Sequence, residues 1–405
     1  MKRFAFVFFI SIQFLTGFSQ KEQEITCEVR QVTSKLMING RQMFYALPKN
    51  VIKIDITIKK TSQFVGPYYK YAQKYLNVNE GVIQMDGEFF IIESAKFIRL
   101  SMPDSSKYYS LNCIGHNELP LLQLNRDGVL IGCNVNKAIK GYSTEKQPFY
   151  WPEPKTEEFQ FVDLGVKPFL VEKKEKMFKT VQTDSVPVRV PYTKTVLHPT
   201  SNDFNAAEAS AFIRKIRKRR MKLVMGYKDE TFAVDGQSMQ KMVEELDNYE
   251  KMYLELFMGK TIEKLYTYSF YYEPEEDSDA EQKIVGWFSP SRGLNTTKPT
   301  ARRSDFQPLV IKSNTVGKVP NAEIEVMDNS QKNPSSIKYG LYYRIPGRIN
   351  MCLYLIDRKL ACMQCEIAQK GRVVPLPVDY LMNQKYSIEF YPETGALKSI
   401  YLNSF

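Results

Sequence analysis

Cys362 and Cys365, three residues apart, are the first pair whose spacing suggests chemistry. A CxxC does redox work when it opens a helix, whose N-terminus lowers the thiol pKa. The surrounding LACMQCEIA alternates like a strand instead, and positions three apart on a strand face opposite sides. The other cysteines are Cys27, Cys113, Cys133 and Cys352, so each half holds three and neither can pair all its own thiols. They read as buried or loosely paired thiols. His116 and His198 are the only histidines, which leaves little material for His-based catalysis or a zinc site. Asp and Glu total 45, so a carboxylate pair has material, but such a pair is defined by separation in space. The acidic run EPEEDSDAE lacks the spaced ligands and glycine of a calcium loop and reads as a solvated hairpin tip. There is no GxSxG elbow, phosphate-binding glycine loop, HExxH or dinucleotide fingerprint. No metal or cofactor is expected.

Aromatic residues are the remaining candidates. Tyr68, Tyr69 and Tyr71 lie in GPYYKYAQKYL, and Tyr150 and Trp151 in a stretch rich in Tyr, Pro, Lys and Glu. Tyr and Trp suit a contact surface because one end of the ring is apolar and the other wet. Core packing competes for the first group, and an ordinary loop for the second.

The elements that must position these residues are mostly strands. In VIKIDITIKK, Ile52, Ile54, Ile56 and Ile58 point one way and Lys53, Asp55 and Thr57 the other, the pattern of a half-buried strand. Pro67 opens a short helix over YYKYAQKYL. Residues 140–158 and the Pro-containing 184–203 read as long loops or crossing segments. Two helices follow. Asn205 to Glu208 has capping-box spacing, Phe212, Ile216 and Leu223 mark an apolar side, and Gly226 supplies a stop. The second runs from Asp235 or Ser238 to Met258 with the stripe Met239, Met242, Leu246, Tyr249, Tyr253, Leu256 and Phe257. The first carries RKIRKRRMK (Arg214 to Lys222) and the second an acidic flank, so an antiparallel pair with complementary charges is expected. YGLYYRIP, RINMCLYLID, LACMQCEIA, YSIEFYP and ALKSIYL then recur as strands at short intervals.

The expected fold is α+β and β-rich. An N-terminal β domain (20–200) and a C-terminal β domain (261–405) flank a helical hairpin (201–260), with an antiparallel β-sandwich at about 335–405. Lys2 and Arg3, the apolar run Phe4 to Leu15, and small residues Gly17 and Ser19 form a secretory signal, residues 1–19. The run is too short to span a bilayer, and no later stretch reads as a transmembrane helix. The formal charge of +11 permits an anionic partner, yet export makes a nucleic-acid role implausible.

Several phrases together resemble a known family. These are YALPKNVIKIDITIKKT, GPYYKYAQKYL, IRKRRMKLVMG, VEELDNYEKMYLELFMGKTI, YYRIPG, IAQKGRVVPLP and YPETGALKSI, in that order from about residue 40 to the end. Their order and spacing are similar to the bacterial domain of unknown function family 4831, which implies an exported protein. The resemblance carries no activity, cofactor or catalytic residue with it. The cysteines and the Tyr/Pro segment near residue 150 depart from the pattern. The expected function is a non-catalytic interaction or scaffold protein of the cell envelope, periplasmic or outer-membrane-associated, whose partner is an envelope protein complex or an acidic glycan. The competing expectation is an envelope hydrolase acting on glycan or peptide through a carboxylate pair.

Overall fold

A computed structural model describes residues 26–32, 42–114, 120–135, 151–163, 170–183, 186–225, 236–298, 305–317, 339–381 and 384–403. The signal segment, His116, Tyr150 and Gly226 lie outside the described residues. In chain order the strands are β1 (Thr26–Gln31), β2 (Gln42–Phe64), β3 (Gly87–Ile114), β4 (Leu122–Leu124), β5 (Leu130–Cys133), β6 (Leu170–Thr183), β7 (Val186–Pro199), β8 (Lys260–Tyr272), β9 (Ala280–Ser289), β10 (Gly293–Asn295), β11 (Gln307–Thr315), β12 (Tyr339–Leu355), β13 (Arg358–Pro377), β14 (Tyr386–Phe390) and β15 (Leu397–Leu402). The helices are α1 (Ala72–Leu76), α2 (Asn202–Val224) and α3 (Gly236–Met258). The fold is α+β and β-rich.

Among the described residues four sheets form, with orders β1-β3-β2-β8, β10-β9-β11-β12-β13, β15-β14-β5-β4 and β6-β7. The first two pack face to face. Ile52, Ile54, Ile56 and Ile58 are fully buried and meet Tyr268, Phe270, Ile311, Ile349 and Met351, as the alternation in β2 requires. A second core gathers Tyr45, Leu47, Tyr109, Leu111, Leu341, Leu376, Ile388 and Phe390. The long strands β2, β3, β12 and β13 contribute to both cores. The boundary expected at residue 261 therefore does not separate the sheets: β8 joins the N-terminal sheet, and β14 pairs with β5. YGLYYRIP and RINMCLYLID form one strand, β12, because the ladder continues past Pro346 through an irregularity.

The two long hairpins are built alike. Between Ala46 and Pro48 the ladder steps from Tyr108 to Pro103, so Leu47 faces residues 104–107. Between Ile345 and Gly347 it steps from Arg372 to Ile367, so Pro346 faces residues 368–371. Each long hairpin precedes a short one. Leu122 pairs with Cys133, Gln123 with Gly132 and, past a bulge, Leu124 with Leu130. Ile388 pairs with Ile400, Glu389 with Ser399 and, past a bulge, Phe390 with Leu397. Gly128 and Gly395 hold positive φ in the two short turns (81° and 70°), a conformation that favours glycine. Their carbonyls accept from Ala46 N and Arg344 N, both at 3.0 Å. Strands β2–β5 and β12–β15 are two copies of one four-strand unit.

The copies brace each other through polar side chains at the bulges. Fully buried Arg344, from the second copy, donates Nη2 to Asp104 Oδ2 in the bulge of the first. Its Nη1 donates to Ala368 O at 3.1 Å. Asp104 Oδ1 also accepts from Ser106 N (2.9 Å) and Ser106 Oγ (2.7 Å). Conversely, fully buried Asn50, from the first copy, engages the bulge of the second: Oδ1 accepts from Ala368 N (2.7 Å). Its main chain exchanges bonds with the Gln369 amide, at 2.9 and 2.7 Å. Asn50 Nδ2 reaches Glu393 O (2.7 Å) in the last turn. A bulge frees backbone groups from the ladder, and buried groups so freed need partners. These side chains supply them.

Helix α2 begins a turn before the expected box. Ser201 is its N-cap and accepts from Phe204 N at 3.2 Å, whereas Asn205 is already helical. The expected charge pairing is present: Arg217 and Arg220 meet the buried Glu250 at 2.6 and 2.7 Å, and Arg220 also meets Asp247. Phe212 packs on Tyr253 with ring centroids 4.5 Å apart. The helix expected from Pro67 is a 3-10 turn, Tyr69–Tyr71, followed by the short α1.

Burial of so many tyrosines has a consequence at high pH. Burial pushes the Tyr109 and Tyr268 phenols up to about 12, and raises Tyr45 and Tyr272 as well. A raised folded-state pKa means that the folded state holds protons the unfolded chain has lost. Stability from Tyr109 and Tyr268 is thus complete below the unfolded value of about 10 and is lost as pH rises from there to about 12. Circular dichroism and absorbance at 295 nm should change together in that window. Development of the full absorbance of all 25 phenolates near pH 10 with the fold intact would contradict this.

Candidate interaction surface

Strands β6 and β7 form a sheet of their own, hydrogen-bonded to no other strand among the described residues. Their register is uninterrupted from Leu170↔Pro199 to Thr183↔Val186. At roughly 3.4 Å per residue such strands run for about 45 Å. Phe178 (64%), Leu197 (58%), Tyr192 (46%), Val190 (45%) and Val181 (44%) stay exposed along them. Lys173, Lys174, Lys176, Lys179, Arg189 and Lys194 are exposed among them, against only Glu172 and Glu175. His198 Nε2 lies 2.7 Å from Glu175 Oε1. An isolated two-stranded ribbon is marginal in water, and exposed apolar groups in numbers mark interaction sites.

Reading residues 184–203 as an irregular stretch missed this ribbon, because most of that stretch is β7. Pro187, Pro191 and Pro199 share one parity along β7, opposite Gln182, Phe178 and Leu170. In an antiparallel ladder one parity points its N–H groups away from the partner strand. Proline there costs the ribbon no internal hydrogen bond. The available signal was the alternation VPVRVPYTKTVL, with valines spaced by two.

The sequence-derived contact residues lie elsewhere. Tyr68 is buried, packs on Phe257 at 5.6 Å, and donates its hydroxyl to Asp163 Oδ2 at 2.8 Å. Tyr253 donates to Asp163 Oδ1 at 3.3 Å, so both hydroxyls meet one carboxylate. Tyr68 is therefore a packing residue. Tyr69 and Tyr71 are half-buried beside it, and Tyr71 packs against Tyr75. Trp151 sets its ring edge-on to Tyr268 and Phe270, at 4.6 and 5.5 Å, and starts a strap over β8. Along that strap Lys155 O accepts from the buried Lys60 Nζ (2.7 Å), Glu157 pairs with Lys264 (2.6 Å), and Phe159 packs on Phe64 (5.8 Å). The strap is the described part of the expected crossing segment. Tyr150 lies outside the described residues.

Two shallow clefts carry carboxylates. One, of about 490 Å³, lies between the strap and β8, and Glu157 in it is tied to Lys264. The other, of about 430 Å³, lies on the helix pair, where Arg220 neutralises Asp247 and Glu250. Among the described residues no group of three or more His, Cys, Asp or Glu could hold a metal ion. The acidic run is less solvated than expected, for Glu281 accepts from Tyr272 Oη at 2.5 Å and pairs with Lys370 at 2.8 Å.

The CxxC is not a redox pair. Cys362 is bonded to Cys352, its direct partner across β12 and β13, and Cys365 is free. Burial pushes the Cys133 thiol up to about 12 and raises Cys365 as well, so neither is a ready thiolate. Replacing Cys352 and Cys362 with serine should cost about 2–3 kcal/mol in urea unfolding, given the short loop closed. An unchanged midpoint would count against the bond.

A family model described as Domain of unknown function (DUF4831) matches residues 42–163 and 167–398, and the chain belongs to that family. No curated protein and no solved structure matches it.

Proposed function

We propose that this DUF4831 member is an exported, non-catalytic interaction protein of the cell envelope that engages an envelope protein through the β6–β7 ribbon. The observation that carries the reading is the ribbon itself, basic, apolar and tied to no other sheet. The braced double unit is the scaffold that holds it. The charged, apolar and small residues of 1–19 support export, and the Cys352–Cys362 bond suits an oxidising compartment. No helix of the described residues is long and apolar enough to cross a membrane.

The test is a crosslinked pull-down of tagged mature protein from native envelopes, read by mass spectrometry. It is run beside a variant in which residues 172–197 are replaced by a tight turn. The intact protein should recover one reproducible, stoichiometric partner, and the shortened one should lose it at an unchanged melting temperature. Equal recovery by both, or bait alone, would overturn the reading.

A further inference from the structure

Resting on the ribbon reading, the geometry points to a more specific contact: the outer edge of β6 takes up an acidic, extended segment of a partner protein as a third strand. The two edges of the ribbon are not equivalent. On β7 the outward-facing parity contains Pro187, Pro191 and Pro199, so that edge lacks a donor at three places. Their partners Gln182, Phe178 and Leu170 define the outward parity of β6, which also includes Glu172, Lys174, Lys176 and Thr180. None of these is proline, so β6 presents an unbroken row of outward N–H and C=O groups. Such a row is a template for strand addition.

Charge selects the occupant. Lys173, Lys174, Lys176 and Lys179 are all exposed on β6, against Glu172 and Glu175. A second copy of the same edge would set lysine against lysine, and like charges opposite each other across strands destabilise pairing. An acidic strand places carboxylates there instead. Phe178 shares a face with Lys174 and Lys176 and Val181 lies on the other, so a strand that sets carboxylates against those two lysines brings its β-branched side chains beside the exposed Val181.

The probe is a short fluorescent peptide of alternating Glu and Val, titrated by anisotropy against the mature full chain. Oligoglutamate and a Lys–Val peptide are the controls. The Glu–Val peptide should bind tightest and protect the β6 amides from hydrogen exchange. Thr180→Pro removes one outward donor without touching the β6–β7 ladder or any charge, and should weaken binding at least about tenfold. Lys176→Pro, which removes a charge as well as an outward donor, is a second variant and is read against Lys176→Gln, which removes the charge alone. Lys174→Glu with Lys176→Glu should shift preference to the Lys–Val peptide.

Equal binding of oligoglutamate, or no response to either proline variant, would reduce the contact to bulk charge and overturn strand addition. So would a failure of the Glu–Val peptide to bind, or binding only to anionic vesicles. If the shortened ribbon still loses its envelope partner in such a case, the ribbon reading stands and only the edge proposal falls.

Discussion

Asp104→Ala is expected to lower the unfolding free energy by about 3–5 kcal/mol, the range for removing one partner of a buried ion pair. The cost falls on Arg344, which is fully buried and would keep its charge without a counter-ion. Burial already pulls the Arg344 guanidinium down from its usual range, and Asp104 is the first group opposing that. The substitution also strips acceptors from Ser106 N and Oγ. Joining the change to Arg344→Met removes the stranded charge, so the double variant should be more stable than Asp104→Ala alone. Urea unfolding of the three proteins measures this. Equal losses for the single and double variants would mean that the pair is not a coupled unit.

Asn50→Leu should cost a similar amount, about 3–5 kcal/mol, since each buried group left unpaired is worth roughly 1–3 kcal/mol. The Asn50 side chain satisfies Ala368 N, Leu100 O (3.3 Å) and Glu393 O. Those groups belong to β13, to β3 and to the last turn, so one side chain joins three segments distant in sequence. Leucine matches asparagine in branching and is larger, so the loss should come from unpaired backbone groups and crowding rather than from a cavity. Gln369→Leu should cost a similar amount, because it strips the partners from three buried groups in turn, Asn50 N, Asn50 O and Pro274 O. A loss under about 1 kcal/mol for Asn50→Leu would show that these backbone groups find water instead.

Several residues of this seam lie in the phrases that carry the family resemblance. Asn50 ends the block YALPKN, Arg344 lies in YYRIPG, Gln369 in IAQKG, and Glu393 and Gly395 in YPETG. In the fold they converge on one seam between two copies of a strand unit. Chemistry in the phrases is structural chemistry: partners for backbone that the bulges have freed.

Much of the fold was legible because its signal is local. The Ile52–Ile58 alternation determines a face, and the opposite charges of α2 and α3 determine a pairing. What escaped was non-local. Pro346 reads as a strand end, yet the ladder steps past it because four residues of β13 bulge opposite. Pro187 and Pro191 read as breakers, but breaking depends on which way the missing N–H would point. The internal repeat is nearly silent in sequence, surviving as Leu47-Pro48 against Ile345-Pro346 and as Gly128 against Gly395. Tyr68 and Trp151 were chosen by residue type, and burial decides such cases.

The central claim is that partners meet this protein on the ribbon and not on its body. Site-specific photo-crosslinking in the native cell tests it most directly. A photoreactive phenylalanine analogue is placed at Phe178 or Tyr192 on the ribbon, or at Leu265 or Tyr391 on the body, positions of matched exposure (64% and 46% against 64% and 47%). Discrete heavier species from the two ribbon sites, with none from the two body sites, are the predicted result. Crosslinks from Leu265 or Tyr391 with a silent ribbon would contradict the account.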